Sequence, residues 1–171
     1  LNKGSGDTQI TATGTVSGDA SYGIFGYNYI NTADLVISAA AVSGGTDGIY
    51  AQNKGTGYTH ITATGTVTGD IGYGVFGYNY VNTSDLTIST AAVTGATEGI
   101  RATNKGTGET QITATGTVTG TTGYGVFGYN DVNTSDLTIS TASATGATEG
   151  IHAENKGLGS TSITATGSVT S

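Results

Sequence analysis

Two histidines, a recurring aspartate and recurring Gly-x-Gly pairs are the side chains and motifs here whose types invite catalysis. Their spacing speaks against it. His60 occupies the repeat position held elsewhere by Gln9, Gln111 and Ser162, and His152 the position held by Tyr50 and Arg101. A base that its own repeats replace so freely is a surface residue, and no Ser–His–Asp arrangement can be built around either one. Asp34, Asp85 and Asp136 recur within TADL or TSDL, 51 residues apart. If each 51 residues make two stacked layers, these carboxylates stand about 9.6 Å apart, too far to share a proton or flank one glycosidic bond. They are expected to cap turns. The Gly-x-Gly pairs after each Asn-Lys precede no strand-to-helix switch, so turns explain them better than a phosphate cradle. The calcium-binding nonapeptide of repeat proteins is absent. No catalytic residue, metal ligand or cofactor is expected, and the chain does not read as an enzyme.

The chemistry left is that of contact. Phe25, Tyr50, Phe76, Arg101, Phe127 and His152 share one repeat offset. Tyr27, Tyr78 and Tyr129 alternate with Gln52, Thr103 and Glu154; Tyr29, Tyr80 and Asp131 with Lys54, Lys105 and Lys156; Tyr22, Tyr73 and Tyr124 with Asp47, Glu98 and Glu149. Stacked, these become outward rows, and an exposed aromatic patch marks contact surfaces. Phe25, Tyr27, Tyr50, Phe76, Tyr78, Phe127 and Tyr129 form the candidate binding face, where a Lys beside a Tyr adds cation–π attraction of about 0.5–1 kcal/mol. The competing account is cross-strand stacking that only stabilises a sheet. A second surface comes from ITATG at Ile10, Ile61, Ile112 and Ile163, which repeats Thr11, Thr62, Thr113 and Thr164 with Ser38, Ser89 and Ser140 between them. Regular threonine arrays can organise water, so ice binding is a further possibility, although these rows are mixed.

These residues need a scaffold that returns to the same place at a fixed interval. Asn2, Asn28, Asn53, Asn79, Asn104, Asn130 and Asn155 are spaced 26, 25, 26, 25, 26 and 25 residues apart. A fixed period in this range predicts a solenoid. Within one unit Ile61, Ala63, Gly65 and Val67 share one parity and His60, Thr62, Thr64 and Thr66 the other, the period of a half-buried strand. Ile49 and Ala51 lead into Asn53, Val75 and Gly77 into Asn79, and Leu86 and Ile88 point inward on a longer strand. The expected fold is an all-β, right-handed parallel β-helix of 25–26 residues per coil. It has six to seven coils and an internal 51-residue double-coil repeat (2–52, 53–103, 104–154, partial 155–171). Position n should pair with n plus 25 or 26. The inward asparagines are expected to form a ladder, each amide bonding the next at a left-handed turn.

Composition agrees with a thin, strand-built rod. The 171 residues include 30 Gly and no Pro, and Ala, Val, Ile and Thr fill the alternating pattern. The absence of Cys removes disulfides and thiol chemistry. A net charge of −7 with no basic stripe speaks against nucleic acid as a partner. The whole chain reads as one solenoid segment, a slice of a longer array.

The string GIxAxNxGxGxxxITATGxVTGxxGYGVFGYN, at Gly48–Asn79 and Gly99–Asn130, resembles the passenger repeats of Gram-negative autotransporters (type V secretion). That resemblance covers nearly the whole chain. It implies a parallel β-helix exported and displayed on the bacterial cell surface. The function expected from it is structural and adhesive, the aromatic face making multivalent contacts with a surface protein or glycan of a host or neighbouring cell. Self-association, end to end into filaments or laterally, is the alternative.

Overall fold

The structure, a computed structural model, describes all of residues 1–171. It contains strands and turns and no helix, and it winds as a parallel β-solenoid of about seven turns. Each complete coil carries three strands. One coil has Ile49–Asn53, Thr59–Ala63 and Val67–Gly69; the next has Val75–Asn79, Leu86–Thr90 and Val93–Gly95. The first strands stack into a six-stranded sheet. The second and third strands form a twelve-stranded one, joined because they merge in Thr110–Gly120 and Leu137–Gly146.

The register follows the side chains that must be buried. Ile24, Ile49, Val75, Ile100, Val126 and Ile151 pair in sequence down the first sheet, at the expected steps of 25 and 26. Val16, Val42, Val67, Val93 and Val118 keep the same steps in the third strands. The second strands depart from expectation. Ile10, Ile37, Ile61, Ile88 and Ile112 pair at steps alternating between 27 and 24. Corner lengths explain the difference. Six residues (29–34) separate Asn28 from Leu35, but five (54–58) separate Asn53 from Thr59. At the next corner Ala40 and Ala41 do the work of Thr64, Gly65 and Thr66. One residue gained at the first corner is returned at the second, so isoleucine still stacks on isoleucine. The inward run through Gly65 is likewise corrected: the strand ends at Ala63, and Gly65 sits half-buried on the corner, donating its N–H to Ala40 O (2.9 Å).

Inward positions form a narrow apolar core. Ile37, Ile49, Ile61, Leu86, Ile88, Ile100, Ile112, Leu137 and Ile139 are fully buried. Burial of each such side chain contributes about 1.5–3 kcal/mol. Gly26, Gly77 and Gly128 keep the core thin, because a Cβ there would stand 3.0–3.1 Å from the Cδ1 of Ile37, Ile88 or Ile139.

The seven asparagines stack in register, Asn28 beside Asn53 and Asn53 beside Asn79, with the inner five fully buried and Asn2 and Asn155 half-buried. They do not bond one another, and none adopts a left-handed backbone. Both expectations are corrected by what the amides touch. Asn53 Oδ1 accepts the Gly55 N–H (2.8 Å), while its Nδ2 donates to Tyr58 O (3.1 Å) and reaches Ala33 O of the coil before (3.4 Å). Asn79 accepts the Thr59 hydroxyl of the coil before (2.6 Å) and donates to Asp85 O (2.8 Å). The corner carbonyls face inward and need donors. The amides supply them, clamping each corner to its own coil and to its neighbour.

Candidate functional site

The six-stranded sheet carries the aromatic rows. Its strands place residue 25 beside 50, 50 beside 76, 76 beside 101, 101 beside 127 and 127 beside 152. The rings stack along the solenoid axis: Phe25–Tyr50 at 5.4 Å and 12°, Tyr50–Phe76 at 4.7 Å and 13°, Phe127–His152 at 5.3 Å and 2°. Phe76 also lies parallel to Tyr78 (6.1 Å, 15°) along its own strand. Stacking this dense hides much of the surface. Phe25 is 40% exposed, but Tyr27, Tyr50, Phe76, Tyr78, Phe127 and Tyr129 are half-buried against one another. The face is therefore a layer of ring edges and partly covered faces, not a field of bare rings.

Charge on this face is organised by the same rows. The chain has five Lys and Arg residues, and each sits over a ring here. Lys3 covers Tyr29 at 5.3 Å, Lys54 covers Tyr27 and Tyr80 at 5.4 and 4.7 Å, Arg101 covers Phe127 at 4.3 Å, Lys105 reaches Tyr78 at 5.8 Å and Lys156 covers Tyr129 at 5.0 Å. Arg101 thus takes the place of a ring in the stack. It is tethered by Glu98 (2.8 Å), and Lys156 pairs with Glu154 (3.1 Å). Lys105 has no carboxylate partner.

Where Arg101 and Thr103 interrupt the aromatic rows, the surface opens into a groove of about 310 Å³ lined by Tyr78, Arg101, Thr103, Lys105, Phe127, Tyr129 and Glu154. Thr103 points outward by its position in the strand, yet it is only 6% exposed because its neighbours wall it in. In the preceding double coil the same position holds Gln52, which fills the gap by donating to the Tyr80 hydroxyl (2.7 Å) and accepting from the Tyr50 hydroxyl (3.2 Å). The sequence rows located these residues, but nothing in them signalled an opening, which depends on side-chain volume between stacked neighbours.

Asp47 and Glu98 lie in the margin row with Tyr22, Tyr73 and Tyr124 and are 7% and 8% exposed. Burial pushes both carboxyls above their ordinary values. The Tyr73 N–H on Asp47 (2.7 Å) and the Arg101 guanidinium on Glu98 offset this only in part, and Glu98 Oε2 has no partner. An acid whose folded pKa is raised stabilises the fold most below its unfolded value, about pH 4, and loses that contribution as pH rises through the folded value. The urea midpoint is therefore expected to rise when the pH falls from 7 toward 4.5. Glu98→Gln should flatten that slope. A midpoint that drops over this interval would contradict the assignment.

The other sequence candidates are placed as follows. Asp34, Asp85 and Asp136 accept the N–H of Tyr58 (3.1 Å), Glu109 (3.0 Å) and Ser160 (2.7 Å), fastening the corner of the next coil. His60 contacts Thr62 (3.0 Å) and His152 contacts Glu149 (2.9 Å), both part-exposed. No group of three or more His, Asp or Glu is close enough to hold a metal ion. On the twelve-stranded sheet Thr11, Ser38, Thr62, Ser89, Thr113, Ser140 and Thr164 form one column. Beside it, three notches of about 240, 270 and 270 Å³ repeat every second coil, where Ala40, Ala91 or Ala142 falls between Thr corners. Sequence reading missed one set of structural residues, the half-buried Thr8 and the buried Thr59 and Thr110, whose hydroxyls bond Asn28, Asn79 and Asn130. Their alternation with Leu35, Leu86 and Leu137 in the same inward row was the available signal.

No protein-family model, curated protein or solved structure matches the chain.

Proposed function

We propose that this solenoid is a structural and adhesive segment displayed on a bacterial surface, and that the six-stranded aromatic sheet is its contact face. The supporting observation is segregation. All five cations, all three Phe and nine of the ten Tyr lie on that sheet or at its margins, Tyr58 being the exception. A sheet stabilised by stacking alone has no need to gather every cation as well. Rings with cations against them present apolar faces rimmed by hydrogen-bond donors, a surface suited to sugars and to polar protein patches. Equivalent rungs repeat along the rod, so weak contacts add through effective concentration. Extracellular display rests on the resemblance of the repeats to autotransporter passengers.

Replacing Phe25, Phe76 and Phe127 together by Ser tests the reading. Binding to whole cells or to immobilised cell-surface glycans is expected to fall at least tenfold, while the far-ultraviolet circular dichroism of the β-sheet is kept. Retained binding by a folded triple variant would overturn the assignment of this face.

A further inference from the structure

We infer that the groove over Thr103 is a binding site for one uncharged pyranose ring, held between Tyr78 and Tyr129. The inference rests on the contact-face reading and adds the class of ligand. Tyr78 and Tyr129 belong to coils two apart, so about 9.6 Å of axis separates them. One ring placed midway stands about 4.8 Å from each, an ordinary stacking separation. Tyr78 lies within 15° of Phe76, the ring that continues the Phe25–Tyr50 stack, so its face looks along the axis into the groove, with the Lys105 ammonium toward its edge at 5.8 Å from the ring centroid. The cavity of about 310 Å³ is at the low end of the ~300–1,000 Å³ usual for small-molecule sites, which suits a single sugar residue of a longer chain.

The lining chooses among rings of that size. A planar apolar ring would cover Arg101, Lys105 and Glu154 without replacing the water they lose, which is costly. An anionic ring would be drawn to Lys105, but it would also stand against Glu154 inside the groove and a chain of net charge −7 outside it. A neutral pyranose meets neither obstacle. Its C–H faces pack on the two tyrosines, and its rim hydroxyls donate to Glu154 and accept from Lys105, Arg101 and the Thr103 hydroxyl. Lys105 is the donor with no carboxylate of its own, and Arg101 is held in place by Glu98 and by the Phe127 ring. The groove occurs once because Gln52 closes the corresponding position one repeat earlier.

Affinity electrophoresis of the whole chain through gels containing dextran, mannan, galactan or polygalacturonate tests the site. Retardation by at least one neutral polysaccharide is expected, with little by polygalacturonate. Thr103→Gln installs the residue the fold already accepts at position 52 and should weaken the retardation at least tenfold. Lys105→Gln should weaken it less. Retardation by polygalacturonate alone, or by no gel, would overturn the ligand class. Neutral binding unchanged in Thr103→Gln would overturn the site. If that same binding is lost in the Phe25/Phe76/Phe127 triple variant, the contact-face reading survives the failure of the groove.

Discussion

Gly95→Ala will destabilise the solenoid by more than about 3 kcal/mol, well above the cost of an ordinary glycine substitution. The reason is a close approach of backbone to backbone. A Cβ on Gly95 would lie 1.9 Å from Glu98 O and 2.5 Å from Gly74 N. Those two atoms make the hydrogen bond that joins consecutive coils at this corner (3.1 Å). The clash therefore cannot be relieved by turning a side chain; the corner must open and the inter-coil bond must lengthen. Left-handed geometry plays no part, since no glycine in the chain has a positive φ. Two controls separate this from a general penalty on Gly→Ala. At Gly6 nothing lies within 4 Å of a new Cβ, and at Gly77 the nearest atoms are the Cδ1 methyls of Ile88 and Leu86 at 3.1 and 3.2 Å. Gly6→Ala should be close to neutral, and Gly77→Ala should cost under about 1 kcal/mol, because Ala already occupies that row at Ala51 and Ala102. Urea denaturation of the three variants provides the check, and equal midpoints for Gly95→Ala and Gly6→Ala would refute the corner account.

The same corner shows why some of the architecture is readable from the chain and some is not. Rows of Ile, Val and Asn are legible because burial demands the same residue type each time the chain returns, whatever the route between. Lys54, Lys105 and Lys156 follow their asparagines at a fixed offset and so share their register. The corners obey a different rule. Residues 29–34 and 54–58 differ by one in length, and Ala40–Ala41 against Thr64–Thr66 repay it. Each corner alone looks like noise, and only paired strands reveal that the two changes cancel. The groove over Thr103 was hidden for another reason. The aromatic rows are a list of large residues, but an opening is made by a small one, and its depth depends on rings in the coils above and below.

The asparagine column was legible as a stack but not in its bonding, and that difference has a measurable consequence. Asn79→Ala is expected to cost about 3–4 kcal/mol. It removes the Thr59 hydroxyl bond to Oδ1 (2.6 Å) and the Nδ2 bond to Asp85 O (2.8 Å). Each bond contributes about 1–1.5 kcal/mol, and the buried Thr59 hydroxyl left without a partner adds a further penalty, whereas Asp85 O keeps the Thr59 N–H (2.9 Å). Asn82, three residues on and exposed, should tolerate Ala within about 0.5 kcal/mol. Amide-to-amide stacking would predict that the loss at Asn79 is independent of Thr59. The observed contact predicts coupling. Thr59→Val alone should be destabilising, since it strands a buried amide oxygen. Combining it with Asn79→Ala should then cost clearly less than the sum of the two, by about 1 kcal/mol or more in a double-mutant cycle. Additive losses at 59 and 79 would show that the asparagines stabilise the rod through some contact other than this one, and the clamp between neighbouring coils would have to be abandoned.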